Sequence, residues 1–215
     1  QGLAAFHLAS RGYVPPEGAQ NSTKQAKWPE EYTAMRSNLK EWKEISQNTS
    51  ARPDHSAYSN HAEAMIELAD LALCLLENSP YFKLTAPGSD SIVLCHQDYG
   101  KGNALLTDDG VYVLDLDGVT YDLPVRDLRK IIGKRAEKRG RWAEADIEEV
   151  LQAYTAVNPL SAEIREILRI DLIFPHWFFG LTKNLFLKNK FLKPYEIDRI
   201  VKLEQAKLAL LNVSG

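Results

Sequence analysis

The sequence predicts an α+β fold that is mostly helical and contains one small sheet. Several stretches repeat apolar residues at helical spacing, and the longest of them covers residues 57–77. Residues 91–117 read differently, as strand, polar loop, strand, tight turn and strand. With 215 residues, 45% of them hydrophobic, the chain is long enough to bury a substantial core. We therefore expect a helical domain built around one small sheet.

Three helices are predicted ahead of the sheet. The first covers residues 1–10, and Gly12 is a suitable C-cap. The second covers residues 28–45, with Pro29 at its first position and acidic residues in its first turn. The third covers residues 57–77 and places a stripe of apolar residues toward the core: Ala64, Leu68, Leu71 and Leu75. The loops between these elements are residues 13–27, 48–54 and 78–90.

The sheet is predicted from three apolar runs. Residues 92–95 suit a buried strand, and residues 104–106 and 111–114 flank Thr-Asp-Asp-Gly, which favours a hairpin turn. A three-residue loop at 108–110, with Gly110 left-handed, would place Asn103 opposite Asp115. A two-residue loop would place Asn103 opposite Leu116 and Asp115 opposite Ala104.

Either register brings Asn103 and Asp115 together at the open end of the hairpin, next to Asp98. Two carboxylates and an amide oxygen form the kind of site that Mg²⁺ prefers. The spacing H-x-D-x-x-x-x-N, followed twelve residues later by an Asp at a strand end, is typical of phosphotransferases. These residues therefore predict a phosphoryl-transfer site.

After the sheet, residues 118–122 are predicted as a turn, and a helix follows from Leu123-Pro124. Its end is a basic run, residues 134–141, which reads as a solvated connector or as a docking surface for an acidic partner. Three more helices are predicted over residues 142–156, 161–177 and 195–211. The intervening residues 178–194 are rich in Phe and Lys. The aromatic cluster at residues 174–179 reads as core or as a wall of an acceptor pocket.

The motifs HQDYGKGN (residues 96–103) and VYVLDLD (residues 111–117) resemble those of the aminoglycoside phosphotransferase and choline kinase group. The chain is similar in more detail to the spore-coat kinase-like proteins, the CotS group. The shared segments are HQDYG-x-GNALL, YDLP-x-RDLRK and WPEE. The resemblance implies the C-terminal lobe of a protein-kinase-like fold, formed as a single domain by residues 1–215.

The resemblance also implies roles for individual residues. Asp98 would be the catalytic base, Asn103 and Asp115 would hold Mg²⁺, and Asp127 would brace the catalytic loop. His96 is expected to be structural, with a ring nitrogen bonded to backbone near the hairpin. Lys101 departs from the usual pattern of the group and is a candidate phosphate contact, or simply a solvated side chain. Asp117 is a second metal-shell carboxylate or an ordinary turn residue.

The function implied is transfer of the γ-phosphoryl group of ATP to a hydroxyl of an unknown small molecule or sugar, in spore coat formation. The partners would be that acceptor and other coat proteins. The first alternative is an inactive kinase fold that serves as a structural or interaction protein of the coat. The second is a metal-dependent hydrolase that uses the same acids without a nucleotide.

Composition and short motifs restrict the possible partners and the cellular location of the protein. A net charge of −3 gives no basic surface for nucleic acid, and no run of about 18 apolar residues could span a bilayer. Cys74 and Cys95 lie in apolar runs and read as small core residues in a reducing compartment. The sequence has no signal peptide, which favours the cytoplasm if the coat location fails. It also has no G-x-G-x-x-G, so we expect either that the nucleotide-binding lobe is missing from residues 1–215 or that the full protein has no standard one.

Overall fold

The computed structural model describes residues 1–19, 21–49 and 51–211. Gln20 and Ser50, within the predicted loops, and residues 212–215 lie outside the described residues. The helices are α1 (Gly2–Ala9), α2 (Trp28–Asn48), α3 (Pro53–Glu77), α4 (Tyr81–Leu84), α5 (Val125–Arg139), α6 (Glu144–Thr155), α7 (Ala162–Ile173), α8 (His176–Lys188) and α9 (Pro194–Leu210). The predicted fold class, mostly helical with little sheet, is confirmed. No helix within the described ranges combines the length and apolar character needed to cross a membrane.

The strands form two small antiparallel sheets, where the sequence predicted one. They are β1 (Val93–Cys95), β2 (Ala104–Thr107), β3 (Gly110–Val113) and β4 (Thr120–Asp122). β1 pairs with β4, and β2 pairs with β3. β4 falls in the stretch predicted as a turn, because three residues are too few to show the alternation typical of a strand.

The hairpin has a register that differs from both predicted ones. Thr107 pairs with Gly110, so the turn residues are Asp108 and Asp109, and Asn103 lies one position beyond the Ala104–Val113 pair. The Leu114 amide donates to the Asn103 carbonyl at 2.9 Å. Leu114, not Asp115 or Leu116, is therefore opposite Asn103.

One compact unit consists of Gln1–Trp28, Ser79–Arg135 and Ala143–Leu168. In this unit α1 packs against β1 and α6. Its core includes fully buried apolar side chains from β1, from α5 and from the connection between β4 and α5: Val93, Cys95, Leu123, Val125 and Leu128. The indole of Trp28 donates to the buried carboxylate of Asp122 at 2.8 Å, which joins the start of α2 to the end of β4. This unit contains all the predicted site residues.

The second compact unit consists of Pro29–Asn78, Ala136–Trp142 and Arg169–Gly215, and in it α9 packs against α3 and α8. The buried face of α3 is centred about one position away from the predicted stripe and includes Ala62, Met65, Ala69, Ala72 and Leu76. Of the predicted stripe, Leu68 is buried as expected, whereas Ala64, Leu71 and Leu75 are half-buried. Cys74 is consequently exposed, so its prediction as a core residue is wrong, whereas Cys95 is buried. Phe174 and Phe178 are fully buried, and Phe178 stacks on Tyr58.

Several helix boundaries differ from the prediction: α2 and α3 are longer, and α4 lies in the predicted loop 78–90. Two further differences have a clear physical cause. α5 continues to Arg139, so most of the basic run 134–141 is helical, since Lys, Arg, Ala and Glu are good helix formers. The helix predicted over residues 161–177 is interrupted at Pro175, which lacks an N–H and crowds the preceding turn. α8 begins directly after it and occupies most of residues 178–194, for which the sequence predicted no helix.

Candidate active site

The loop between β1 and β2, residues 96–103, is anchored at its start by His96. The His96 side chain is buried, and its Nε2 lies 2.8 Å from the Leu114 carbonyl oxygen at the end of the hairpin. The Asp98 amide donates to His96 Nδ1 at 3.3 Å. With the proton on Nε2, both contacts are satisfied hydrogen bonds. The imidazole thus ties the loop to the hairpin, the structural position expected from the sequence.

Asp127, on the first turn of α5, lies directly behind this loop. Its Oδ2 accepts a hydrogen bond from the His96 amide at 2.6 Å, and its Oδ1 accepts one from the Gln97 amide at 2.8 Å. His7 Nε2 lies 3.1 Å from Oδ2. Burial raises the pKa of the Asp127 carboxyl, but the hydrogen bonds from His7 and the two amides outweigh it and hold the pKa below its usual value. The carboxylate is therefore ionised and fully engaged.

Gln97 turns the chain between His96 and Asp98. It is left-handed, with φ of 68°, a conformation that non-glycine residues rarely adopt. The side-chain amide of Gln97 donates to the Gly118 carbonyl at 2.7 Å. The backbone carbonyl of Gln97 accepts a hydrogen bond from Lys130 Nζ. Burial lowers the pKa of Lys130 to about 8, with a contribution from the neighbouring charge of Arg129. These contacts fix the backbone immediately before Asp98.

Asp98 is exposed at the surface of the loop. Lys134 Nζ, from α5, lies 2.7 Å from its Oδ1. The Lys134 ammonium holds the pKa of the Asp98 carboxyl below its usual value. Asn103 Nδ2 donates to the Asp98 carbonyl at 3.0 Å and lies 3.4 Å from its Oδ2. The structure therefore brings Asp98 and Asn103 together, with Asp98 ionised and open to solvent.

Asp115 directly follows Leu114, the residue opposite Asn103. It is left-handed, with φ of 57° and ψ of 66°, and ends the hairpin by turning the chain into a 3-10 turn at Leu116–Gly118. The sequence placed this carboxylate at the end of a hydrophobic strand, where an unpaired charge would be costly. In the structure it is exposed, because the hairpin itself is largely exposed. The cost of an unpaired buried charge therefore gives no reason to place a metal at Asp115.

The remaining support for a metal site is the chemistry of two side-chain oxygens, one on Asn103 and one on Asp115. The Asn103 amide uses its nitrogen toward Asp98, which leaves the carbonyl Oδ1 without a donor among the described residues. Within the same ranges no hydrogen bond or ion pair engages the Asp115 carboxylate. One amide and one carboxylate oxygen are thus available, which is the donor chemistry that this ion prefers.

Lys101 and Asp117 are both exposed. In the part of the chain that the structure describes, neither side chain forms a hydrogen bond or an ion pair. The geometry therefore leaves both of the alternatives for each residue open.

Sequence reasoning missed several residues that contact the loop. Lys130 and Lys134 lie four positions apart on α5, a spacing that places them on one helix face, and Lys134 begins the basic run interpreted as a connector. If the basic run had been predicted as a continuation of the helix, the spacing of the two lysines would have placed them beside the loop. For His7 the sequence holds no local signal, because it lies 120 residues from Asp127.

Comparisons with known proteins show which family and which relatives the chain is similar to. A family model described as a phosphotransferase enzyme family matches residues 1–166. Spore coat protein S of Bacillus subtilis (strain 168) is 32% identical over 188 residues, which are 86% of this chain and 53% of that protein. The chain thus spans about half the length of this curated relative.

Among solved structures, an aminoglycoside phosphotransferase from Alicyclobacillus acidocaldarius subsp. acidocaldarius DSM 446 matches with a TM-score of 0.75. The match covers 98% of this chain and 63% of that one, at 16% identity. At such low identity the likeness concerns the fold alone.

Proposed function

Because the chain belongs to the phosphotransferase enzyme family, we propose that the protein transfers the γ-phosphoryl group of ATP to a hydroxyl group of a small molecule or sugar. The family match confirms the resemblance that the loop motifs carry. The observation that supports the proposal most directly is the Asp98 carboxylate, ionised and exposed beside Asn103 on a loop that Asp127 braces.

Asp98 has the position and protonation state of a catalytic base. In the proposed reaction the acceptor oxygen forms a bond to the γ-phosphorus, the bond from that phosphorus to the bridging oxygen of ADP breaks, and ADP leaves. The acceptor hydroxyl gives its proton to the Asp98 carboxylate. Its lowered pKa keeps Asp98 ready to accept a hydrogen bond from the hydroxyl at neutral pH. The surrounding hydrogen bonds contribute positioning, which is most of what phosphoryl transfer requires from a protein.

Asn103 and Asp115 would hold the metal ion, through the amide Oδ1 and the carboxylate. When bound, Mg²⁺ would neutralise charge on the nucleotide phosphates. The chain's own contribution is to fix the Asn103 amide through its nitrogen, so that its oxygen is presented without a competing donor. Lys101 is proposed as a further, solvent-facing contact to phosphate.

The biological setting is proposed from the relative's name. That protein is a spore coat protein, and we propose the spore coat for this chain as well, with a single C-terminal kinase-like lobe formed by residues 1–215. The same name favours a second candidate, a catalytically inactive coat scaffold with the kinase fold. The intact set of Asp98, Asn103 and Asp115 supports the enzyme, since a scaffold has no need of these oxygens.

Calorimetry with ATP and Mg²⁺ on the intact gene product separates the two candidates. We expect a heat of binding, followed by release of ADP when hydroxyl acceptors such as sugars, polyols and amino alcohols are supplied. Binding without turnover on any acceptor would leave the scaffold candidate with a nucleotide site. No heat at millimolar nucleotide would overturn the kinase and leave the scaffold as the remaining candidate.

A further inference from the structure

A continuous chain of polar groups runs behind the candidate active site, from an exposed arginine to buried side chains. It starts at the Arg11 guanidinium, which donates to Asn158 Oδ1 at 2.6 Å. Asn158 Nδ2 donates to the Tyr154 hydroxyl at 2.8 Å, and that hydroxyl lies 2.8 Å from His7 Nδ1. His7 Nε2 then lies 3.1 Å from Asp127 Oδ2. The chain therefore joins a cation at one end to the loop-bracing carboxylate at the other.

The direction of these hydrogen bonds follows from the chemistry of the two ends. A guanidinium only donates, so the amide of Asn158 must accept with its oxygen and donate with its nitrogen. The Tyr154 hydroxyl accepts that bond and is free to donate its own proton to His7 Nδ1. The imidazole is then neutral, carries its proton on Nε2, and donates to a carboxylate that can only accept. Every group is satisfied when the chain runs in this one direction.

The burial of the chain makes these bonds consequential. His7 and Asn158 are fully buried, and Asp127 and Tyr154 are 2% and 3% exposed. Water cannot replace a lost partner at such positions, so each unmade bond carries a desolvation cost. Among the described residues, His7 supplies the side-chain donor to Asp127, and the other donors are the amides of the loop itself.

The helix that carries His7 contacts the strand and the loop at other points as well. Ser10 Oγ accepts a hydrogen bond from the Leu94 amide in β1 at 3.0 Å. The Phe6 ring meets the His96 ring edge-on, with 6.2 Å between centroids. The segment around His7 is thus held on both sides, by the backbone of β1 at Ser10 and by the His96 ring at Phe6, and these contacts keep the imidazole in place relative to Asp127.

We propose that His7 is a positioning residue for the candidate active site. As a neutral imidazole with its proton on Nε2, it fixes the Asp127 carboxylate, which in turn holds the Gln97 backbone in its left-handed turn before Asp98. The consequence for turnover rests on the proposed phosphotransferase function, whereas the consequence for the loop does not.

A buried metal ion is the competing use of this cluster. Ligand atoms of His7, Cys95 and Asp127 lie within 4.8 Å of one another. Each of the three already has hydrogen-bond partners. Those of His7 and Asp127 are described above, and the Cys95 thiol donates to the Leu123 carbonyl at 3.2 Å. A metal would have to displace these bonds, so we expect purified protein to contain no stoichiometric metal at this cluster. Metal that is lost in the double variant Cys95→Ala, His7→Gln would overturn the proposal.

The matched variants His7→Gln and His7→Asn test the proposal. The amide nitrogen of Gln can occupy the place of Nε2 and donate to Asp127, whereas the shorter Asn reaches only the place of Nδ1. Both remove the ring. The readout is hydrogen exchange of the His96 and Gln97 amides in the intact protein, normalised to amides in the interior of α3.

We expect these two amides to exchange about tenfold faster in His7→Asn, which corresponds to about 1.4 kcal/mol. In His7→Gln they should stay within about threefold of wild type, less than one net hydrogen bond. Equal acceleration in both variants, or acceleration that matches the α3 amides, would overturn the proposal. Nitrogen chemical shifts of His7 in the wild type give a test that needs no variant, and a proton found on Nδ1 alone would overturn it too.

Turnover provides the last readout and separates the two proposals. If the protein is a phosphotransferase, His7→Asn should lower kcat with little change in KM, and His7→Gln should recover most of it. Normal kcat in both variants would overturn the role of His7 while the proposed function stands. If the wild type has no activity, the proposed function fails, and the exchange experiment still decides the role of His7.

Discussion

The carboxylate of Asp127 accepts a hydrogen bond from the backbone amide of Gln97 at 2.8 Å, and Gln97 itself is left-handed with φ of 68°. A left-handed backbone in a non-glycine residue is a strained conformation, which persists only where the surroundings impose it. Here the buried carboxylate supplies that constraint. It holds the two amides that precede Asp98, so the orientation of the candidate base depends on a residue that cannot touch a substrate.

We predict that Asp127→Ala lowers the free energy of unfolding by about 1–3 kcal/mol, because it leaves the buried amides of His96 and Gln97 without an acceptor. Urea denaturation at low and high salt measures the change. An exposed acid that only interacts with the helix dipole would contribute no more than about 1 kcal/mol, and salt would reduce it. A small, salt-sensitive loss would therefore contradict the bracing role.

The same residue predicts a pH dependence. The folded pKa of Asp127 is lowered, so its stabilisation is fully present above the unfolded value of about 3.9 and is lost as the pH falls through the lower folded pKa. Between about pH 4 and pH 2, Asp127→Ala should lose stability less steeply than wild type. Parallel curves for the two proteins would show that the carboxylate is not held as described.

Replacing Gly2 by Ala should destabilise the protein, although replacing a helical glycine by Ala is usually stabilising. A Cβ at Gly2 would lie 2.5 Å from the Tyr99 hydroxyl and 3.1 Å from the Val111 methyl groups. Gly→Ala in an open helix position stabilises by about 0.5–1 kcal/mol, and we expect that gain for Gly180→Ala in α8, where nothing lies within 4 Å. Gly2→Ala should instead destabilise, and less so in a Tyr99→Phe background. Additive effects of the two substitutions would contradict this contact.

Lys134 predicts a shift in the acidic limb of the activity profile. Its ammonium lowers the pKa of Asp98, so removing it should let that pKa rise toward its ordinary value of about 3.9. Because the protonated carboxyl cannot act as a base, the acidic limb of kcat/KM should move to higher pH in Lys134→Met. Lys138→Met removes the same charge from the same helix and should leave the limb in place. An unchanged limb in Lys134→Met would show that Asp98 does not set it.

The hairpin shows how far local sequence can predict this fold. Thr-Asp-Asp-Gly correctly indicates a tight turn, yet the turn residues are Asp108 and Asp109, because Gly110 lies in β3. Three neighbouring turns are compatible with the same four letters, and side-chain periodicity in an exposed hairpin does not distinguish them. The contact of His96 with the Leu114 carbonyl joins residues 18 positions apart and could not be deduced locally.

In the candidate site, too, some residues could be predicted from local spacing and others could not. Asp98 and Asn103 are five positions apart, and their spacing alone brings them together on one loop. Lys134 contacts Asp98 although the two are 36 positions apart. The part of α5 that carries Lys134 was not predicted as helix, because its basic composition is also typical of a solvated connector. His7 reaches Asp127 from 120 positions away, and only the packing of α1 against β1 brings it there. Spacing thus predicts the reacting groups, whereas the groups that hold them follow from tertiary structure.

The two acids of the candidate site should respond differently to the loss of their charge. Asp98→Asn should leave binding of ATP and Mg²⁺ within about threefold of wild type but lower kcat by about 10²–10⁴-fold, because a base acts in the transition state. Asp115→Asn should weaken nucleotide binding in the presence of Mg²⁺ by about tenfold or more, since it removes a charged ligand. Calorimetry and ADP release on the intact protein measure the two effects.

Asp109→Asn is the matched control, because it removes the same charge from an exposed side chain in the turn of the same hairpin, at a residue with no proposed role. If it weakens binding as much as Asp115→Asn, local net charge rather than ligation explains the effect, and the assignment of Asp115 fails. If Asp98→Asn instead weakens binding and leaves kcat unchanged, the carboxylate contributes to the ground state, and the assignment of Asp98 as the base fails. A split between the two acids, with Asp109→Asn close to wild type, is the result that the proposed roles require.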